Sequence, residues 1–174
     1  NSIGTITNCS NELDISYNYS GGICGSYAGY QGTLTITGCH NTGEIDSIIE
    51  RSSNKGGGGI CGANAGYEGT LTIRECYNTG GIVGENCGGI CGDDTGHYGW
   101  NNGNPTISNV LIEYCWNTGN ITGDSAGGIC GKRCKQCTIK YCYNIGNLNA
   151  QKAGGICGPG LANSRGPVVI FNCY

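Results

Sequence analysis

The chain has no methionine, one phenylalanine, three prolines and two histidines, and only 12% of its 174 residues are charged. Each shortage excludes something. A net charge of −3 with few bases gives no basic stripe for nucleic acid, so no such partner is expected. No apolar run approaches the roughly 18 residues of a transmembrane helix, so no membrane span is expected. The two histidines, His40 and His97, lie far apart, which leaves no histidine-based metal or catalytic set. No phosphate loop, nucleophile motif or HExxH stretch is present. The chain is therefore read as a non-enzyme without a cofactor. Lacking an initiator methionine and a signal peptide, it is expected to be a processed product or a piece of something longer.

Glycine and cysteine are abundant instead, at 35 and 14 residues. Cysteine at this density marks a secreted disulfide scaffold, because a reducing cytosol makes so many thiols a liability. An extracellular or cell-surface location follows as the expectation. The glycines recur at fixed offsets beside Ile and Cys, which separates the chain from disordered low-complexity sequence.

Two elements alternate along the chain. The first reads Ile-x-x-Cys-x-Asn-x-Gly-x-Ile, as in Ile36, Cys39, Asn41, Gly43 and Ile45. It returns at Ile73–Ile82, at Ile112–Ile121 and, with a terminal leucine, at Ile139–Leu148. A degenerate copy spans Ile6, Cys9, Asn11, Leu13 and Ile15, and a truncated one ends at Ile170, Cys173 and Tyr174. The second element, Gly-Gly-Ile-Cys-Gly, has its cysteine at Cys24, Cys61, Cys91, Cys130 and Cys157. Repeats fall at roughly 4–31, 32–68, 69–105, 106–136 and 137–167, with a partial copy at 168–174. Extra residues sit around 46–57 and 93–107.

Before the first-element cysteine, apolar residues recur at every second position, as Leu34/Ile36, Leu71/Ile73, Val110/Ile112 and Val168/Ile170, with threonine between the members of the first two pairs. Period-two alternation bounded by Gly and Asn turns predicts short strands, and no 3.6-residue period competes. One such unit cannot bury its apolar side alone and must stack on its neighbours. The expected fold is all-β: a right-handed parallel β-helix of five to six rungs with three short strands each. At about 4.8 Å per rung the coil is about 25 Å long.

The segments Cys76-Tyr77-Asn78-Thr79-Gly80-Gly81-Ile82 and Cys115-Trp116-Asn117-Thr118-Gly119-Asn120-Ile121, each followed by Gly-Gly-Ile-Cys-Gly, resemble the GLUG-motif repeat. That repeat occurs in large bacterial surface proteins, including regions of some immunoglobulin A peptidases. The resemblance covers roughly residues 4–174 and implies an extracellular stalk or surface module with no active site. Cysteine replaces the aliphatic residue expected in the second element, which points to covalent reinforcement.

Cysteine columns at equivalent rung positions lie within bridging distance in several ways. Stacked neighbours could bridge, or a second-element cysteine could join the next first-element one. The near-constant spacing within repeats favours a cross-coil set: Cys9–Cys24, Cys39–Cys61, Cys76–Cys91, Cys115–Cys130 and Cys142–Cys157. Cys137 occupies the slot of Leu34, Leu71 and Val110 and is expected inside, paired with Cys173, leaving Cys87 with Cys134. The Cys134-Lys135-Gln136-Cys137 pair lacks a second pair for zinc if Cys130 belongs to Cys115. No metal site is therefore expected.

Asn11, Asn41, Asn78, Asn117 and Asn144 share one repeat position and read as a stacked amide ladder at a corner. Asn18 and Asn120 lie in glycosylation sequons. Asn8 lies in a third, disfavoured because Cys9 is expected to be buried. Asp93, Asp94, His97, Tyr98 and Trp100 fall in the second insertion and suggest a contact surface for glycan or protein. Residues 1–131 hold all 12 acids and only three bases, net −9, while residues 132–174 hold six bases and no acid, net +6. Neither end carries a polar cap. The expected function is structural, with the basic end of one copy abutting the acidic start of the next to build a fibre. An adhesin-like module is the alternative.

Overall fold

Alternation at the start of each repeat becomes a stack of parallel strands in the computed structural model, which describes residues 2–47, 56–101, 104–161 and 166–174. The first side of the coil is a six-stranded sheet. It stacks Ile3–Thr7, Thr33–Thr37, Thr70–Arg74, Asn109–Glu113, Cys137–Lys140 and Val168–Phe171 in sequence order. The register is residue on residue, so Ile36, Ile73, Ile112, Ile139 and Ile170 form one column. Slipping by one residue would turn every isoleucine outward, so the buried face fixes the register.

Two more sides are five-stranded parallel sheets of two-residue strands. One carries Asn11, Asn41, Asn78, Asn117 and Asn144. The other carries Ile15, Ile45, Ile82, Ile121 and Leu148. The Gly-Gly-Ile-Cys segments close each turn as a fourth stacked side. Single parallel bridges there join Gly21, Gly58, Gly88, Gly127 and Gly154, and likewise Cys24, Cys61, Cys91, Cys130 and Cys157. The molecule is a parallel β-helix, and none of the described residues is helical.

The inward columns make the core. Ile36, Leu71, Ile73, Ile60, Ile90, Ile112, Ile129 and Ile139 are all fully buried, each contributing about 1.5–3 kcal/mol of transfer free energy. Corners rest on left-handed residues in register. Asn8, Gly38, Glu75, Tyr114, Tyr141 and Asn172 all have positive φ, from 53° to 64°. Non-glycine residues tolerate this costly conformation because the amides of the first five bond the carbonyl of the adjacent rung at 3.0–3.3 Å.

The double glycine has a steric cause. A Cβ at Gly22, Gly59, Gly89 or Gly128 would collide with the side chain of Asn41, Asn78, Asn117 or Asn144 respectively. Glycine at the second position is what lets the asparagine ladder lie inside the coil.

The second insertion leaves the coil between rungs. Of the first, residues 48–55 lie outside the described part, as do Arg51, Lys55 and Arg165. The second is narrower than its expected 93–107 span. Asp93 and Asp94 keep the regular rung register, since Asn64 N bonds Asp93 O and Asp94 N bonds Lys132 O. The departure from the coil is a short antiparallel ladder of Trp100–Asn101 with Asn104–Pro105.

Candidate functional site

The asparagine ladder is formed as the sequence suggested. Each Nδ2 donates to the Oδ1 of the next rung, from Asn11 to Asn41, Asn78, Asn117 and Asn144, at 2.7–2.8 Å. The same nitrogens donate to the carbonyls of Leu13, Gly43, Gly80, Gly119 and Gly146. Asn41, Asn78 and Asn117 are fully buried. A buried amide with both protons placed is structural, because no donor remains to offer a ligand.

The carboxylates are likewise engaged. Asp93 is fully buried and bonds Arg133 at 2.6 Å, while Asp94 meets Arg133 at 2.9 Å and Lys135 at 3.4 Å. Burial raises the Asp93 carboxyl against the opposing pull of Arg133. Glu113, also buried, pairs with Arg74 and with Lys140 at 2.8 Å. The hydrogen bond from Lys140 holds its carboxyl below the ordinary range, with burial opposing. Asp93 and Asp94 are therefore ion-pair partners within the coil, not sugar-facing groups. Arg133, Lys135 and Lys140, three of the six bases beyond residue 131, pair with acids of preceding rungs. The charge asymmetry is partly resolved inside one molecule.

The cysteines depart most from expectation. All fourteen are free thiols, and within each of the two columns their contacts run along the coil. One column holds Cys9, Cys39, Cys76, Cys115, Cys142 and Cys173. Backbone N–H groups of Cys9 and Cys39 donate to the sulfur of the next rung at 3.4 Å, and Cys142 does so to Cys173 at 3.5 Å. Thiol contacts link Cys76 to Cys115 and Cys115 to Cys142. The second column runs Cys24, Cys61, Cys91, Cys130 and Cys157, each thiol in hydrogen-bond contact with the next. The cross-coil pairs are thus replaced by stacked neighbours, because in-register stacking places equivalent residues one strand spacing apart. Cys137 points inward as expected, but it stacks between Val110 and Val168, whereas Cys173 belongs to the column of Cys142. Cys87 packs with Ile45, Ile82 and Ile121 in a separate core cluster from Cys134. Burial pushes its thiol up to about 12.

At one level the second column widens into a cluster. The sulfurs of Cys130, Cys134 and Cys157 all lie within 4.8 Å of one another. Cys137 closes the group through thiol contacts to Cys130 and Cys134. All four are buried. The reason for setting the Cys134/Cys137 pair aside fails, because the thiol contacts of Cys130 are with Cys134, Cys137, Cys157 and Cys91. Hydrogen bonds from Cys130, then Cys137 and Cys157, hold the Cys134 thiol well below its ordinary range. The reciprocal contacts raise Cys130.

Two aromatic arrays line the surface. His40, Tyr77, Trp116, Tyr143 and Tyr174 stack face to face, with centroids 4.7–5.9 Å apart and planes within 9°. Each but Tyr174 directly precedes a ladder asparagine, a pattern open to view in the sequence. At a corner, Tyr27, Tyr30 and Tyr67 line a shallow depression of about 500 Å³. Tyr67 stacks on His97, His97 on Tyr98, and Tyr98 meets exposed Trp100 edge-on. Of the sequon asparagines, Asn18 is half-buried, whereas Asn8 and Asn120 are exposed. Asn120 accepts a bond from Asn147 N. Cys9 is exposed as well, so the ground for disfavouring Asn8 falls.

In comparisons with known proteins, no family model, curated protein or solved structure matches the chain.

Proposed function

We propose that this chain is a structural module of an extracellular or cell-surface protein, and that its coil is extended end to end by further copies. The observation that carries the reading is the unbroken register of the outermost rungs. Strands Ile3–Thr7 and Val168–Phe171 are the two edges of the six-stranded sheet, and Ile3, Val169, Ile170 and Phe171 are exposed there. Bare parallel edges template the addition of another strand. The asparagine ladder adds polarity, because its donors all face one way: Asn11 is its acceptor end and Asn144 its donor end. Head-to-tail stacking continues that pattern, and such a heterologous contact gives open filaments. The GLUG-like repeat supports a surface setting, in which sugar on Asn8, Asn18 or Asn120 belongs to the same reading.

Electron microscopy and sedimentation of the chain over a wide concentration range test it. The expected outcome is end-to-end polymers that persist in high salt, since Arg133, Lys135 and Lys140, half the bases beyond residue 131, are already paired with acids of the same molecule. A monomer at every concentration overturns it. The aromatic corner of Tyr27, Tyr30, Tyr67 and Trp100 favours a second reading, a glycan-contacting module, distinguished by sugar binding that Tyr67→Ala abolishes.

A further inference from the structure

The cluster at the C-terminal part of the second thiol column does not repeat, and the substitutions that create it are confined to one rung. Four residues after the first four second-column cysteines the coil places Ala28, Ala65, Thr95 and then Cys134. The alignment follows the inter-rung bonds of the preceding residues, from Tyr27 N to Ala63 O, Asn64 N to Asp93 O and Asp94 N to Lys132 O. The strand slot held by Leu34, Leu71 and Val110 becomes Cys137. Two positions that in preceding rungs hold alanine or threonine and an aliphatic side chain are therefore both cysteine here, and both approach Cys130 and Cys157 of the column.

We propose that Cys130, Cys134, Cys137 and Cys157 form a tetrathiolate site for a single divalent metal ion of zinc type. Four sulfur ligands in tetrahedral array are the donor set zinc takes in closed structural sites. With metal–sulfur bonds of about 2.3 Å, the sulfurs of a tetrahedron stand about 3.8 Å apart. Three of these sulfurs already lie within 4.8 Å of one another, so small side-chain rotations complete the shell. An iron–sulfur cluster interposes inorganic atoms between its thiolates and needs a wider cage. Binding displaces whatever protons the thiols still hold to solvent and moves no electrons.

The loop is held for this purpose from outside. Arg133 is clamped by Asp93 and Asp94, and Lys135 by Asp94. These ion pairs anchor the residues on either side of Cys134, which is itself buried. Such outer contacts orient the ligands of metal sites. Among the described residues, no other set of three cysteine sulfurs is gathered within 4.8 Å; the remaining column thiols contact one stacked neighbour above and one below, a linear arrangement.

The test titrates the full chain, reduced and stripped of metal, with cobalt(II) as the spectroscopic probe, then displaces it with zinc. The expected result is the intense visible absorption of tetrahedral tetrathiolate cobalt, saturating at one ion per chain and bleached by zinc. The variant Cys134→Ala with Cys137→Val installs the residues that other rungs carry at these slots, so it is expected to retain the coil, checked by circular dichroism. It should lose the first equivalent, with zinc affinity falling roughly a thousandfold or more. Cys39→Ser with Cys76→Ser, in the other column, should leave that equivalent intact. Survival of the cobalt spectrum in the Cys134/Cys137 variant overturns the proposal. So does a Cys134–Cys137 or Cys130–Cys157 disulfide mapped in the protein as purified.

Discussion

The rung around Leu71 and the rung around Cys137 share one backbone path and differ in what fills it. At the first level Ala65, Leu71 and Ile73 close an aliphatic interior beside Cys61. At the second, Cys134, Cys137 and Ile139 occupy the same slots beside Cys130. Strand pairing, corner geometry and the asparagine ladder pass through both levels unchanged. The difference shows that the solenoid backbone is set by its ladders and corners, which leaves the inward slots of a single rung free to exchange packing for chemistry.

The largest effect separates the two levels directly. Leu71→Ala should cost about 2–5 kcal/mol, because a fully buried leucine leaves a cavity that rigid rungs cannot close. Cys137→Ala, measured in the reduced, metal-free chain, should cost only about 1 kcal/mol, since it removes a single sulfur from the equivalent slot. Denaturant unfolding of both variants checks the contrast. Equal losses would mean that the thiol level is packed as tightly as the aliphatic one.

The next prediction concerns what the two levels share. Asn78→Ala and Asn117→Ala each delete a buried amide that donates twice and accepts once. Each leaves the neighbouring amides and a glycine carbonyl without partners, at a cost of about 2–4 kcal/mol. Asn78 lies nearer the aliphatic level and Asn117 nearer the thiol level, so similar losses on unfolding are the expected outcome. A much milder Asn117 variant would show that the ladder weakens toward the thiol cluster.

Much of this architecture was legible in the sequence for a physical reason: stacking converts each repeat position into a column. Alternation at Leu34/Ile36 and Leu71/Ile73 gave the first side, the recurring asparagine gave the ladder, and the slot of Cys137 gave its inward direction. Contacts that depend on rung register across an insertion were hidden. Arg133 meets Asp93, and Lys135 meets Asp94, only after the residues around Trp100 leave the coil. Cys134 was obscured differently. Pairing cysteines by equal spacing within a repeat ignores that in-register stacking brings together the same position of successive repeats. Aligning Cys134 with Ala28, Ala65 and Thr95 would have exposed the cluster. The aromatic column was in plain sight at the residue before each asparagine, but Ser10 breaks it at the first copy.

The smallest effect tests the link between the levels. Glu113 joins Arg74 of the aliphatic level to Lys140 of the thiol level. Its carboxyl is held below the ordinary 4.5, first by the Lys140 hydrogen bond. A depressed folded value means the stabilisation is present above the unfolded value and lost as pH falls through the folded one. Glu113→Gln should therefore be less stable than the native chain near neutrality and lose less on acidification below about pH 4.5. Asp93 works in the opposite sense, because burial raises its carboxyl and protonation there favours the folded coil. It is present in both chains, so it cancels in the difference. Urea midpoints of the two chains, measured from neutral pH into acid, should converge. Curves that stay parallel would mean that Glu113 contributes no charge-dependent link and that the two levels are joined by their ladders alone.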